Sequence, residues 1–338
     1  MKPILYTLAL CALPTLTVAQ PADKVIDGII DAHILPRFEV LAAQTATFAD
    51  MAMQECEPTS EALRGSYARA FDAWISASHL RFGPAQVDDR AFALAFWPDS
   101  RGATPRTLGK LIADQDPIVA SADTFAQVSI AARGFYAMEF LLFDPALMQA
   151  GDPAYHCRLV QTISADIAAT SEDIFEDWRT SYGTHLRTPA ANGTYRTRQE
   201  ARQELFKALS TGLQFTSESR LGRPLGRFDR PRPNRAEARR SGRSARHVAL
   251  SLSSLGDLAA HLTAGNQVLA ASIEHSFQRA MAQLDGLNDP VFASVAAPQT
   301  RIKVEVLQQS VDAIRAIVRD DLGPTLGVAA GFNALDGD

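Results

Sequence analysis

The chain has 338 residues, of which 46% are hydrophobic and 21% charged, and its formal net charge is −5. These values are ordinary for a globular protein, and they exclude an intrinsically disordered or collagen-like chain. The length allows either two domains or one large helical domain.

The first residues have the features of a secretory signal peptide. Lys2 precedes an apolar run that ends at Val18, and the small residues around Ala19 suit cleavage before Gln20. We therefore predict that residues 1–19 are removed and that the mature protein is soluble and exported. No later apolar run is long enough to cross a bilayer, so we expect no transmembrane segment in the mature chain.

Hydrophobic residues recur at helical spacing along most of the remaining chain, and prolines, glycines and capping residues separate the periodic stretches. No stretch shows a sustained alternation of apolar and polar residues. The pattern predicts an all-α fold of roughly eight long helices. The predicted helices cover residues 23–53, 60–79, 104–113, 122–143, 152–180, 196–221, 247–264, 266–284 and 299–322, and residues 90–103 are predicted as a loop.

Two four-helix bundles fit this number of helices. We place the N-terminal bundle at residues 20–182 and the C-terminal bundle at 183–338. Two cysteines, Cys56 and Cys157, would remain in the mature chain. An even pair in an oxidising compartment suggests a disulfide between the bundle's first long helix region and the helix after residue 152. The alternative is that both are small buried apolar side chains.

The segment 133–140 places a carboxylate among large apolar side chains. Glu139 lies in a stretch that is apolar on most sides of a helix, and a buried carboxylate needs a partner, a metal or a proton. Tyr136 is an i,i+3 neighbour of Glu139, so phenol and carboxylate can face the same point. One interpretation is a buried salt bridge from Glu139 to Arg133 or to an arginine further along the chain. The other is a metal site, because phenolate and carboxylate oxygens suit hard cations such as ferric iron.

Residues 220–246 differ in composition from the rest of the chain. They contain ten arginines, no lysine, one aspartate and one glutamate, which gives +8 for the segment and −13 for the remainder. The arginines could pair with acids on the helices beneath, bind an anionic ligand, or form a patch for nucleic acid or another acidic surface. No nucleic-acid-binding motif supports the third interpretation. Ser241 and Arg243, at a predicted helix start, would suit an anion.

Seven histidines are scattered along the chain, and no pair has the His-Glu-x-x-His spacing of zinc peptidases. His79 lies at a predicted helix end, where a lone histidine has a capping or surface role or belongs to a metal site. Nucleophile elbows, phosphate-binding loops and dinucleotide fingerprints are absent from the sequence.

The segment 133–143 resembles the imelysin-like family of bacterial envelope proteins. That family has a Gly-x-His-x-x-Glu motif after an Arg-Gly pair, and the matching residues here are Gly134, Tyr136 and Glu139. Residues 79–84, 96–102 and 241–244 extend the resemblance over most of the mature chain. It implies two helical bundles with a site between them, a periplasmic location and a link to iron acquisition. Tyr136 stands where the family has histidine, which weakens the peptidase activity implied by the family's name.

Together these observations predict a non-enzymatic periplasmic protein that binds an anionic small molecule, a metal such as iron, or another envelope protein of iron uptake. The alternatives are a metallohydrolase and a purely structural envelope protein. We expect no nucleic-acid partner. The predicted ligand-binding residues are Tyr136, Glu139, Arg133, Asp99, Arg101, Arg223, Ser241 and Arg243. The predicted metal ligands are Glu139, Tyr136 and His79.

Overall fold

A computed structural model describes residues 23–328 of the chain, and within this range the regular secondary structure is helical. The all-α prediction is confirmed. The α-helices, numbered in chain order, are α1 (Lys24–Ile29), α2 (Leu35–Gln54), α3 (Glu61–Ala77), α4 (Arg90–Leu94), α5 (Ala103–Asp114), α6 (Ala122–Phe125), α7 (Gly134–Phe143), α8 (Pro153–Asp177), α9 (Gly183–Arg187), α10 (Arg198–Gln214), α11 (Gly222–Leu225), α12 (Ser244–Leu262), α13 (Gln267–Asp285), α14 (Pro298–Ile317) and α15 (Gly323–Leu326).

The long helices pack mainly with neighbours from the same half of the chain. In the first half, α2 packs against α3 and α8, and α7 packs against α8. In the second half, α12 packs against α10 and α13, and α14 packs against α10 and α13. Helix α3 also contacts α12, so one continuous apolar core runs through both groups of helices. The domain boundary between residues 182 and 183 stays a prediction.

Between residues 23 and 328, four π-helical turns extend or join these helices. They are Ile30–Ile34, Trp178–Tyr182, Phe215–Leu221 and Val318–Leu322. Each π-turn holds an additional residue relative to an α-helical turn, and such turns often occur at functional sites. The turn Ile30–Ile34 joins α1 to α2, and Phe215–Leu221 joins α10 to α11, so both lie inside otherwise continuous helical segments.

The predicted single helix over residues 122–143 is wrong, because the structure divides it into α6, a 3₁₀ turn at Ile130–Ala132, and α7. At the break, the Arg133 guanidinium donates a hydrogen bond to the Ala126 carbonyl, 3.0 Å away. Gly134 has a φ of +74°, which also ends helical geometry at that point. Residues 90–94, predicted as loop, form the short helix α4.

A disulfide joins Cys56, just after α2, to Cys157 on α8, and their Cα atoms are 5.0 Å apart. The predicted signal peptide, residues 1–19, lies outside the described residues, as does Cys11. In the part of the chain that the structure describes, the helices are all too short or too polar to span a bilayer.

Candidate functional site

Arg133 and Gly134 fix the position of the N-terminus of α7. A side chain at Gly134 would place its Cβ 2.2 Å from the Ala93 and Leu94 carbonyl oxygens, so only glycine fits where α7 meets the end of α4. Arg133 forms a two-pronged salt bridge with Asp166 on α8, at 2.9 and 2.7 Å. Arg133 therefore anchors α7 to α8 and does not contact Glu139.

Glu139 is buried and its carboxylate faces the start of α12. The backbone N–H and the hydroxyl of Ser241 both donate to Glu139 Oε1, at 2.9 and 2.8 Å. Burial raises the pKa of Glu139, and the two hydrogen bonds from Ser241 partly offset that effect. The predicted salt bridge from Glu139 to an arginine is wrong, since Ser241 supplies the partners. The anion at this helix start is a carboxylate of the chain itself.

Tyr136 belongs to a different buried network, centred on Glu237. The Tyr136 hydroxyl donates to Glu237 Oε1 at 2.5 Å, and Arg220 Nε donates to Glu237 Oε2 at 2.7 Å. Burial opposes ionisation of Glu237, but the Arg220 charge and further contacts from His247 and Tyr136 outweigh it and lower the Glu237 pKa to about 2. Burial, followed by the nearby Glu237 charge, raises the pKa of Tyr136 well above its ordinary value. The Tyr136 phenol is therefore neutral and serves as a donor.

His247 lies beside this network without completing it. Its Nδ1 is 3.2 Å from Glu237 Oε2, but both ring nitrogens are buried without hydrogen-bond partners in residues 23–328. Burial lowers the pKa of His247, so the ring is neutral at neutral pH. Its edge packs on the Phe71 ring, with centroids 4.5 Å apart.

A cavity of about 510 Å³ lies between the two groups of helices. One side is formed by the end of α3 and the following residues 78–97, and the other side by α10, the π-turn Phe215–Leu221 and α12. Its polar lining comes from the side chains of Ser78, His79, Arg81, Gln86, Asp89, Tyr136, Glu204, Lys207, Thr211, Arg220 and Ser251. Its volume falls in the range of sites for small organic ligands.

Aromatic rings form much of the remaining wall. Trp97 stacks against Tyr136, with centroids 6.1 Å apart and planes inclined by 25°, and meets Phe215 edge to face. The guanidinium of Arg220 lies 4.8 Å from the Phe215 ring centre, and that of Arg223 lies 5.5 Å from the Trp97 ring centre. These contacts hold planar cations against planar aromatic faces.

Arg81 lines the cavity and has no salt bridge within the described range, residues 23–328. Its Nη2 donates to the Ala91 carbonyl at 3.3 Å, and its guanidinium lies over the Phe92 ring at 5.1 Å. Burial lowers the pKa of Arg81, yet arginine remains charged at neutral pH. The cavity therefore presents a cation whose charge no carboxylate of the described chain neutralises by direct contact.

His79 connects the cavity to a second polar cluster. Its Nε2 lies 2.7 Å from His33 Nε2, and His33 Nδ1 lies 2.7 Å from Asp257 Oδ2. Burial lowers the pKa of His79 well below its ordinary value, and the neighbouring His33 lowers it further. The surface role considered for His79 is wrong, since the side chain is almost completely buried.

The remaining predicted ligand-binding residues lie apart from the cavity wall. Asp99 accepts three backbone N–H bonds from residues 101–104, which caps α5. Burial opposes ionisation of Asp99, but these bonds lower its pKa. Arg101 is exposed. Arg243 forms a salt bridge with Asp72 and donates to the Ala68 carbonyl.

Four of the ten arginines in 220–246 form salt bridges with acidic residues. For these four arginines, the structure supports the interpretation that the segment pairs with acids of the chain itself. Arg220 pairs with Glu237, Arg240 with Asp144, and Arg243 and Arg246 both pair with Asp72. Arg223 reaches the cavity only through Trp97. The segment therefore packs against α3 and the end of α7, and it contributes Arg220 and Glu237 to the buried network.

Sequence reasoning missed four residues of the cavity and of the polar clusters beside it. Arg81 follows the end of α3, and apart from its place in the family resemblance at residues 79–84, no sequence motif marks it. Glu237 is the single glutamate among ten arginines, and that isolation was an available signal for a buried ion pair. Asp257 and His261 are spaced i,i+4 on α12, which places both on one helix face.

The fold and the site define an all-α protein with a polar, aromatic-lined cavity between two groups of helices. The family model described as Imelysin (Peptidase M75) matches residues 34–318, and the chain belongs to this family. The chain is 24% identical to the Iron-regulated protein A of Synechococcus elongatus over 321 residues, which covers 88% of this chain and 85% of that protein.

Two solved structures have the same fold. An imelysin-like protein from Psychrobacter arcticum 273-4 superposes with a TM-score of 0.75 at 21% identity, covering 91% of this chain and 96% of the other. A putative iron-regulated protein A precursor from Parabacteroides distasonis gives a TM-score of 0.73 at 12% identity, covering 90% of this chain and 97% of the other.

Proposed function

We propose that this chain is an exported, non-enzymatic binding protein that takes up a small organic anion with an aromatic or planar part, in a process linked to iron acquisition. The cavity between the two groups of helices is the proposed site. Arg81 would bind the anionic group, and the rings of Trp97, Phe92 and Phe215 would contact the planar part.

The proposal rests on the fact that Arg81 lines the cavity without a salt bridge in the described residues. A guanidinium that lines a cavity and has no salt bridge in the described residues retains most of its capacity to bind a carboxylate or phosphate in two-pronged geometry. Arg220 is already matched by Glu237, so it adds less to ligand binding. Lys207, at the cavity margin, contributes a second positive charge, while Glu204 and Asp89 favour a ligand with a donor group as well.

The link to iron rests on the relatives. Both the Synechococcus and the Parabacteroides proteins carry the name iron-regulated protein A, and the latter is described as a precursor. Together with the predicted signal peptide, these names support an exported protein in an iron-related process. Sequencing the N-terminus of protein recovered from the periplasm tests the export part, with Gln20 expected as its first residue.

The substitution Arg81→Gln tests the anion site. We expect salicylate, as an aromatic carboxylate, to bind the purified protein with one saturable site in isothermal titration calorimetry. Removing a charge-assisted hydrogen bond costs about 1.5–3 kcal/mol, so Arg81→Gln should weaken binding roughly 10- to 100-fold. Citrate serves as the non-aromatic comparison, and each acid is also tested as its ferric complex.

Arg101→Gln is the matched control, because Arg101 is exposed and lies outside the cavity lining. Its affinity should equal that of the unaltered protein. Equal binding by Arg81→Gln, or no binding of either acid in any form, would overturn the anion site. Chelator-sensitive cleavage of a peptide by the unaltered protein would instead favour the metallohydrolase alternative.

A further inference from the structure

A cluster of two histidines and one aspartate lies outside the cavity lining, on the far side of His79. His33 belongs to the π-turn Ile30–Ile34, while Asp257 and His261 are one turn apart on α12. One potential ligand atom from each of the three side chains lies within 4.8 Å of the other two. Among the His, Cys, Asp and Glu side chains of residues 23–328, this is the one group of three that meets that spacing.

The positions of the ring nitrogens suit a metal ion. His261 Nδ1 donates to the Asp257 backbone carbonyl at 2.9 Å, which fixes the ring and leaves Nε2 with its lone pair. His33 is held on its other side by His79, 2.7 Å away. Histidines that bind metals commonly have such a second hydrogen bond, which sets their orientation and tautomer.

The exposure of the cluster also suits a metal. The side chain of Asp257 is 41% exposed and that of His261 is 27% exposed. An ion could therefore enter from solvent and retain water ligands.

We propose that His33, Asp257 and His261 form a binding site for a divalent first-row transition-metal ion such as Zn²⁺ or Fe²⁺. Two imidazoles and one carboxylate are ligands of this metal class, and they disfavour Mg²⁺ and Ca²⁺, which prefer oxygen ligands. When a metal takes His33 Nδ1, the imidazole carries its proton on Nε2 and donates it to His79 Nε2. His79 then holds its own proton on Nδ1.

Arg37 opposes this site. Its Nη2 donates to Asp257 Oδ2 at 2.9 Å, so its positive charge lies next to the carboxylate that would bind the ion. Asp257 Oδ1 stays on the side of His261, at 3.8 Å from its Nδ1. The repulsion between Arg37 and a divalent ion lowers the affinity of the site. Arg37→Gln should therefore tighten metal binding by about tenfold, because it removes a positive charge next to the ion.

The test is a titration of tag-free protein, stripped with chelator and dialysed, with Zn²⁺ by calorimetry and with Co²⁺ by visible absorption. We expect one equivalent of metal to bind. His261→Ala and Asp257→Asn, both at partly exposed side chains, should each weaken binding at least tenfold and remove the visible Co²⁺ band. Thermal melting followed by circular dichroism verifies that each variant is folded.

His275→Ala is the matched control, because His275 is exposed on α13 and lies outside the cluster. It should bind both metals as the unaltered protein does. The site is overturned if the unaltered protein shows no saturable binding, if His261→Ala binds equally well, or if His275→Ala loses binding to the same extent. Weaker rather than tighter binding by Arg37→Gln would show that Arg37 supports the cluster and would contradict the role assigned to it.

Discussion

Glu237 illustrates how much a single buried charge depends on its partners. Its carboxylate accepts from Tyr136 and Arg220 in a region where neither charge reaches water. An ion pair of this kind adds little net stability compared with apolar side chains, but removing one partner leaves an uncompensated charge. The network therefore fixes the position of Tyr136 and Arg220 at the cavity wall more than it stabilises the fold.

Glu237→Gln should reduce the free energy of unfolding by about 3–5 kcal/mol at pH 7, because Arg220 is left buried and unpaired. The pKa of Glu237 is about 2 in the folded protein and near 4.5 ordinarily, so its contribution is present above pH 4.5 and is lost as the pH falls towards 2. Urea denaturation at pH 7 and pH 3 should show the gap between the unaltered protein and the variant narrowing at low pH.

Glu39→Gln serves as the comparison for that experiment, since Glu39 is exposed on α2. Its stability should follow that of the unaltered protein at both pH values. A gap between Glu237→Gln and the unaltered protein that stays constant from pH 7 to pH 3 would mean that Glu237 is not the titrating group.

Gly134→Ala should destabilise the protein by about 2 kcal/mol or more, because both the positive φ and the contact with backbone carbonyls exclude a side chain. Gly109→Ala is a control of opposite sign. A Cβ at Gly109, in the middle of α5, meets no atom within 4 Å, so alanine should stabilise the helix by about 0.5–1 kcal/mol. The denaturant midpoints of Gly134→Ala and Gly109→Ala compare the two substitutions. Equal changes in stability would contradict the account of Gly134 given above.

At the level of elements, the disulfide joins the segment just after α2 to the second turn of α8. It closes a loop of 101 residues, and in the chain-entropy account a loop of that size stabilises by about 4.7 kcal/mol. The double substitution Cys56→Ser and Cys157→Ser should lower the melting temperature, and reductant should lower that of the unaltered protein to a similar value. If reductant destabilises the double variant further, the disulfide is not the cause.

The helices themselves show where sequence reasoning succeeds and where it fails. The long amphipathic helices such as α8 and α12 have enough turns for apolar periodicity to identify them. The segment 122–143 has the same apolar content, but at its break Gly134 packs against the carbonyls of residues 93 and 94, and Arg133 pairs with Asp166, 33 residues away. Contacts between distant residues of this kind leave no local signal.

For the whole molecule, the predicted all-α fold needed only the helical pattern, whereas the site needed distances between remote parts of the chain. Tyr136 and Glu139 are neighbours on α7, so the sequence suggested a shared site. In the structure they have separate partners, Glu237 and Ser241, which both come from residues 237–241. The cavity lies between α3, α10 and α12, and the His33 cluster lies where the π-turn Ile30–Ile34 meets α12. No spacing along the chain encodes either of these meetings.

The π-turns have a consequence for comparing this chain with its relatives. A π-turn contains one residue more than the α-helical turn it replaces, so deleting one residue would restore a regular helix and rotate everything beyond it by about 100°. His33 and Arg220 both lie within such turns. In an alignment, a one-residue gap across residues 30–34 would therefore mark a family member whose helix presents another side chain at the His33 position. A gap across residues 215–221 would mark one in which the partner of Glu237 is displaced.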